Sequence, residues 1–198
     1  MITIVDYGAG NLRSVQNTLE EIGAVFFVTS SPDAVRSATK IILPGVGHFG
    51  QMMQALDDRA LRAPLIDRVR AGVPFLGICL GLQAMFASSE EAPEARGFAF
   101  FEGAVRRFPL SARVPHMGWN EIRPQPAARL TANLGPKPYV YFANSYYCPV
   151  VEATAAICEY AGVPFTAVLE QGNLFGVQFH PEKSGPLGLK IVRNFVEL

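Results

Sequence analysis

Apolar residues fall in short β-branched runs, separated by stretches in which they recur every three or four positions, and this alternation repeats up to Cys79. Ile2 to Val5 reads as a first strand. The turn Gly8-Ala9-Gly10 follows, and Asn11 is placed to cap a helix whose Leu12, Val15, Leu19 and Ile22 share one face. Gly23 stands where a left-handed residue ends such a helix. Ala24 to Val28 is the next strand, Ser31-Pro32 opens a short helix, and Ile41 to Leu43 is a third strand. A helical stretch over Gln51 to Ala71, interrupted at Pro64, leads to a fourth strand, Val73 to Ile78, which runs into Cys79. Strands alternating with helices predict an α/β fold with a mostly parallel central sheet and helices on both faces.

Beyond Gly97 the pattern changes. Tyr139 to Cys148, Ala155 to Glu159, Thr166 to Glu170 and Leu174 to His180 are strand-like runs separated by turn residues, and they predict antiparallel hairpins in the C-terminal half. From about Pro186, Leu187, Ile191 and Phe195 share a helical face, so a helix closes the chain. No repeat or linker interrupts residues 1–198, which are expected to form one domain.

Composition narrows the function. Lys+Arg 17 against Asp+Glu 17 gives a net charge of +0, which offers no bulk attraction for nucleic acid or an anionic membrane. No run approaches membrane-spanning length, and MITIVDYGAGN reads as a strand and turn and not as a signal peptide. Cys79, Cys148 and Cys158 are odd in number and lack C-x-x-C spacing, which points away from a disulfide framework or cysteine-rich zinc site and fits a reducing cytoplasm. Gly8-Ala9-Gly10 is followed by Arg13 where a dinucleotide fingerprint needs glycine, and there is no phosphate loop and no H-E-x-x-H, so neither cofactor nor metal is expected. Arg106 and Arg107 read as a solvated strand end, and the aromatics of residues 139–142 as packing.

The sharpest local signal is Gly77-Ile78-Cys79-Leu80-Gly81, a G-x-C-x-G elbow where a buried strand meets a helical pattern. A cysteine alone is usually a small buried hydrophobe. Between these glycines it is a candidate nucleophile, lifted above the sheet, with the helix start favouring the thiolate. Its base must come from His48, His116 or His180. His180 stands out, because it ends an apolar strand and His180-Pro181-Glu182 supplies a carboxylate two residues on to orient the ring. Pro44 to Gly50 adds a glycine-rich loop at the end of the third strand, where ligand sites gather and where backbone N–H groups can face an oxyanion.

These motifs are recognisable. GICLGLQ at 77–83 with GVQFHPEKS at 176–184 resembles the class I (triad) glutamine amidotransferases. DYGAGNLRSV, LPGVGHFG, HMGWNEI and YFANSYY resemble, within that family, the glutaminase subunits of imidazole glycerol phosphate synthases. The resemblance implies a flavodoxin-like α/β fold and a cytoplasmic glutaminase that hydrolyses L-glutamine through a thioester on Cys79. It passes ammonia to a (β/α)8-barrel cyclase subunit, in a heterodimer serving histidine biosynthesis. It further implies His180 as base and acid, Glu182 as orienting carboxylate, and an oxyanion hole from Leu80 with Gly45, Val46 and Gly47. Gln83, Ser145 and Tyr146 become substrate contacts, and Asn11, Trp119, Tyr141 and Lys183 face the partner. Asn144 departs from the histidine common at that position. Two alternatives stay open: the glutaminase of another synthase, such as the pyridoxal phosphate type, and a binding module of the same fold with an idle triad.

Overall fold

The computed structural model describes residues 1–198. The first half builds the parallel part of the sheet from β1 (Ile2–Val5), β2 (Phe26–Thr29), β3 (Ile41–Gly45) and β4 (Phe75–Cys79). Their connections carry α1 (Leu12–Glu21), α2 (Pro32–Arg36), α3 (Phe49–Asp58) and α4 (Arg62–Arg70). After β4 come a single helical turn, α5 (Leu80–Gln83), and the short strand β5 (Phe86–Ser89). The second half holds β6 (Phe101–Arg107), β7 (His116–Pro124), β8 (Tyr139–Asn144), β9 (Tyr146–Tyr147), β10 (Thr154–Tyr160), β11 (Val163–Gln171) and β12 (Leu174–Val177). A 3-10 turn, Pro181–Lys183, precedes the closing helix α6 (Gly185–Glu197).

Nine strands form one sheet in the order β2-β1-β3-β4-β12-β11-β10-β7-β8, and β5, β6 and β9 form a second, three-stranded sheet. The larger sheet is parallel from β2 through β12 and antiparallel beyond. Side-chain alternation then builds a core on each face. Ile42, Leu76 and Ile78 pack with Val15 and Leu19 of α1 and Ile191 and Phe195 of α6. Ile41, Leu43 and Phe75 pack with Val35 of α2, Met52 and Leu56 of α3, and Leu65 of α4. No helix is long and apolar enough to cross a membrane.

Several local expectations change in detail. The long helical stretch breaks at Arg59 to Leu61, where Ala60 takes φ 54°, and not at Pro64. Pro64 sits in the first turn of α4, where its missing N–H leaves no helical bond unmade. Asn11 precedes α1 without capping it: its Oδ1 accepts from the Ser14 hydroxyl at 2.8 Å. Ser31 does cap α2, accepting from the Ala34 N–H at 3.4 Å. The helix expected after Cys79 is only the one turn of α5.

The central finding for the site is the place of β12. It enters as a hairpin partner of β11 but pairs on its other side, in parallel, with β4, aligning Gly176 with Gly77 and Val177 with Ile78. The carboxyl ends of β3, β4 and β12 therefore lie side by side, and Gly45 is in register with Cys79.

Candidate active site

The elbow's strain falls on the cysteine itself. Cys79 holds φ 54°, ψ −107°, a region that a side-chain-bearing residue occupies only when its surroundings impose it. Neither Gly77 nor Gly81 has positive φ; both are small because backbone lies against them. A Cβ on Gly77 would fall 2.5 Å from the Gly81 carbonyl oxygen, and one on Gly81 would fall 2.0 Å from that of Leu43. A Cβ on Gly45 would lie 2.6 Å from the Gly81 nitrogen. These three glycines let the turn after Cys79 sit directly on the end of β3.

His180 lies three residues past β12 and is 3% exposed. Its Nδ1 is 2.8 Å from Oε1 of Glu182, whose side chain is likewise buried, and the ring lines the same cleft as Cys79. The 3-10 turn starting at Pro181 bends the chain sharply enough for a residue only two positions on to reach the ring. Asn11 donates to the same carboxylate oxygen at 3.3 Å. Burial pulls the imidazole toward its neutral form, but the hydrogen bonds and negative charges of Cys79 and Glu182 outweigh it and carry the ring from 6.5 up to about 10. At neutral pH the histidine is an imidazolium.

Cys79 and His180 open into a cleft of about 170 Å³. At roughly 30 Å³ per water this is space for five or six waters, the scale of a single amino acid. Its lining includes Leu80 and Gln83 of α5, Val46 and Gly47 from the loop after β3, and Ser145 and Tyr146. The structure thus brings the candidate nucleophile, base and carboxylate together with the expected oxyanion and substrate positions. His48 and His116 stand apart from the triad. His116 is stacked on Phe142 and Tyr160, and burial lowers it to about 4.

Three lining or supporting residues were given no place in the site by the sequence. Glu91 enters the cleft from beyond β5, and its Oε2 accepts the Phe49 N–H at 2.7 Å, capping α3 from 42 positions away in sequence. In the sequence, Glu90-Glu91 looks like any exposed acidic pair. Asn144 lines the cleft and donates to the Tyr146 carbonyl at 2.9 Å. Gln178 is fully buried between Gln83 and Cys79, and only its polarity inside an otherwise apolar run marked it.

Beside the cleft, Trp119 on β7 is 56% exposed and faces Tyr141 on β8 at a ring separation of 6.2 Å. The Lys183 ammonium lies over the Tyr141 ring at 5.9 Å. The antiparallel half curls so that β8 returns to the end of β12, where Tyr141 accepts from the His180 N–H at 2.8 Å and donates to the Ser184 hydroxyl at 2.9 Å. This exposed aromatic patch is therefore bonded through backbone to His180.

The family described as "Glutamine amidotransferase class-I" matches residues 3–198. The chain is 46% identical over 198 residues to imidazole glycerol phosphate synthase subunit HisH of Deinococcus radiodurans, covering 98% of this chain and 92% of that protein. It is 47% identical to the subunit of the same name from Methanosarcina acetivorans, covering 100% and 98%. A solved structure described as a glutamine amidotransferase superposes with TM-score 0.78 over 100% of this chain and 98% of its own, at 18% identity, a likeness of fold.

Proposed function

The chain belongs to the class I glutamine amidotransferases, and from that premise we propose that its cleft hydrolyses L-glutamine as the glutaminase subunit of an imidazole glycerol phosphate synthase, residues 1–198 acting as one domain. The reading rests on one observation: Cys79, His180 and Glu182 converge in a cleft sized for one amino acid.

The Cys79 sulfur attacks the carboxamide carbon, forming the C–S bond while the carbonyl electrons move to oxygen. Leu80 N–H, with an N–H from Gly45 to Gly47, stabilises that oxyanion, and donors so placed are each worth about 10²–10³ in rate. Collapse breaks the C–N bond as His180 protonates the departing nitrogen, releasing ammonia. Water then attacks the thioester carbon, forming a C–O bond as His180 takes its proton; the C–S bond breaks, restoring the Cys79 thiolate, and glutamate leaves. Glu182 holds the ring in one orientation throughout. Gln83 and the Ser145-Tyr146 backbone hold the amino-acid end, and the Glu91 carboxylate is the natural partner for the substrate ammonium.

The cleft offers ammonia no acceptor of its own, so the product passes to a second subunit, which we take to be a (β/α)8-barrel cyclase. Trp119, Tyr141 and Lys183, with Asn11 on the Glu182 carboxylate, present the surface it would cover. Near-full-length relatives named for imidazole glycerol phosphate synthase favour this over the pyridoxal phosphate type. Cys79→Ala in the assembled synthase should abolish glutamine-dependent synthesis and spare synthesis fed with ammonium salts. Surviving glutamine-dependent turnover would refute the thioester route.

A further inference from the structure

Gln178 is 0% exposed in a strand end whose neighbours Val177 and Phe179 are apolar core. A buried amide costs stability unless its hydrogen bonds are made. Gln178 lies just past the end of β12, and its side chain reaches Cys79 at the end of β4. Its partners fix which way the amide is turned. The Tyr146 carbonyl oxygen can only accept, so the Gln83 atom 3.0 Å from it is the amide nitrogen. That nitrogen also lies 3.2 Å from Gln178, so the Gln178 atom there is its oxygen. The Gln178 Nε2 is then turned toward the Cys79 sulfur, 3.8 Å away. Asn144 Nδ2 fills the second lone pair of the Tyr146 carbonyl at 2.9 Å, anchoring the far end.

We infer that Gln178 is a positioning residue for the reaction, its amide N–H donating to the Cys79 thiolate and held in that orientation by Gln83 and the Tyr146 carbonyl at the substrate wall. The inference deepens the proposed function and rests on Cys79 being the nucleophile. Because Gln83 spends both N–H bonds on this relay, it presents only its carbonyl oxygen to a ligand, so Gln83 is a fixed acceptor in the cleft. A thiol accepts this bond weakly and a thiolate strongly, so the relay favours the charged nucleophile. The other titratable groups around the sulfur are His180 beyond β12, with Glu182 behind it, Tyr7 after β1, Cys148 after β9, and Glu91 and Tyr146 in the lining of the same cleft. None of these groups is itself altered by substituting Gln178.

The test is the rate of iodoacetamide alkylation at Cys79 against pH, read by peptide mass mapping on the full chain. The variants are Gln178→Leu and Gln178→Glu; the glutamate keeps the acceptor for Gln83 and replaces the donor with a carboxylate. Losing one amide bond to the thiolate should raise the midpoint of the curve by about half to one pH unit in Gln178→Leu, slowing alkylation near neutrality about three- to tenfold, with a high-pH plateau within about twofold of the parent. Gln178→Glu should raise it further. If the leucine variant fails to fold, the near-isosteric glutamate variant decides the matter. Folded Gln178→Glu with the parent's midpoint overturns the inference alone. No alkylation of Cys79 in the parent overturns the nucleophile assignment and the inference with it.

Discussion

Replacing Glu182 by Gln removes one buried negative charge 2.8 Å from the His180 Nδ1 while preserving shape. The ring's partners together lift it from 6.5 to about 10, and at about 1.4 kcal/mol per pH unit this corresponds to about 5 kcal/mol favouring the imidazolium over its neutral form. An opposite charge at such range moves a titration by about 1–3 units, so the His180 midpoint, followed by NMR of the ring protons, should fall by that amount in Glu182→Gln. Turnover of glutamine with the partner present should fall about 10²–10⁴-fold, the range for a mis-set general base. Stability moves in a defined direction. A histidine whose folded value lies above its unfolded one stabilises fully below pH 6.5 and loses that contribution as pH rises through about 10. The variant's deficit in urea unfolding should therefore persist through neutrality and close as pH passes about 10. An unmoved His180 midpoint together with turnover within twofold of the parent would refute the orienting role.

Gly81→Ala places a Cβ 2.0 Å from the backbone oxygen of Leu43, which cannot rotate away. The cost should reach at least about 3 kcal/mol, the upper end for overpacking, lowering Tm by roughly 6–12 °C for a chain of this size; a change under about 1 °C would contradict the close-packed elbow. His116 is held neutral down to about 4, mainly by burial. Its folded value lies below the unfolded 6.5, so stability is full above pH 6.5 and is lost as pH falls toward about 4. His116→Leu should remove up to about 3 kcal/mol of that acid-side loss in urea unfolding at pH 7 against pH 4.5; an unchanged pH slope would contradict it.

What could be read from the sequence was local. The elbow at 77–81, the glycine loop at 45–47 and the His180-Pro181-Glu182 turn each carry their geometry in adjacent residues, and the strand-helix alternation before Cys79 predicts the parallel half. Pairings across long sequence separations were not legible. Nothing near Leu174 announces that β12 pairs in parallel with β4, yet that pairing brings residue 180 to residue 79. The small sheet of β5, β6 and β9, which delivers Glu91 and Tyr146 to the cleft, left only short mixed runs in the pattern. The break between α3 and α4 depends on a left-handed Ala60, a residue type that gives no warning of it. Gln178 shows its meaning only through partners about a hundred positions away.

The central claim is that the Cys79 sulfur is the atom that bonds to the glutamine side chain. Exposure of the assembled enzyme to an electrophilic glutamine analogue, followed by intact-mass and peptide mapping, tests it directly. The account predicts a single adduct, on Cys79, suppressed by excess L-glutamine and sharply slowed in His180→Asn. An adduct on Cys148 or Cys158 in its place, or none with the partner and its ligand bound, would contradict it.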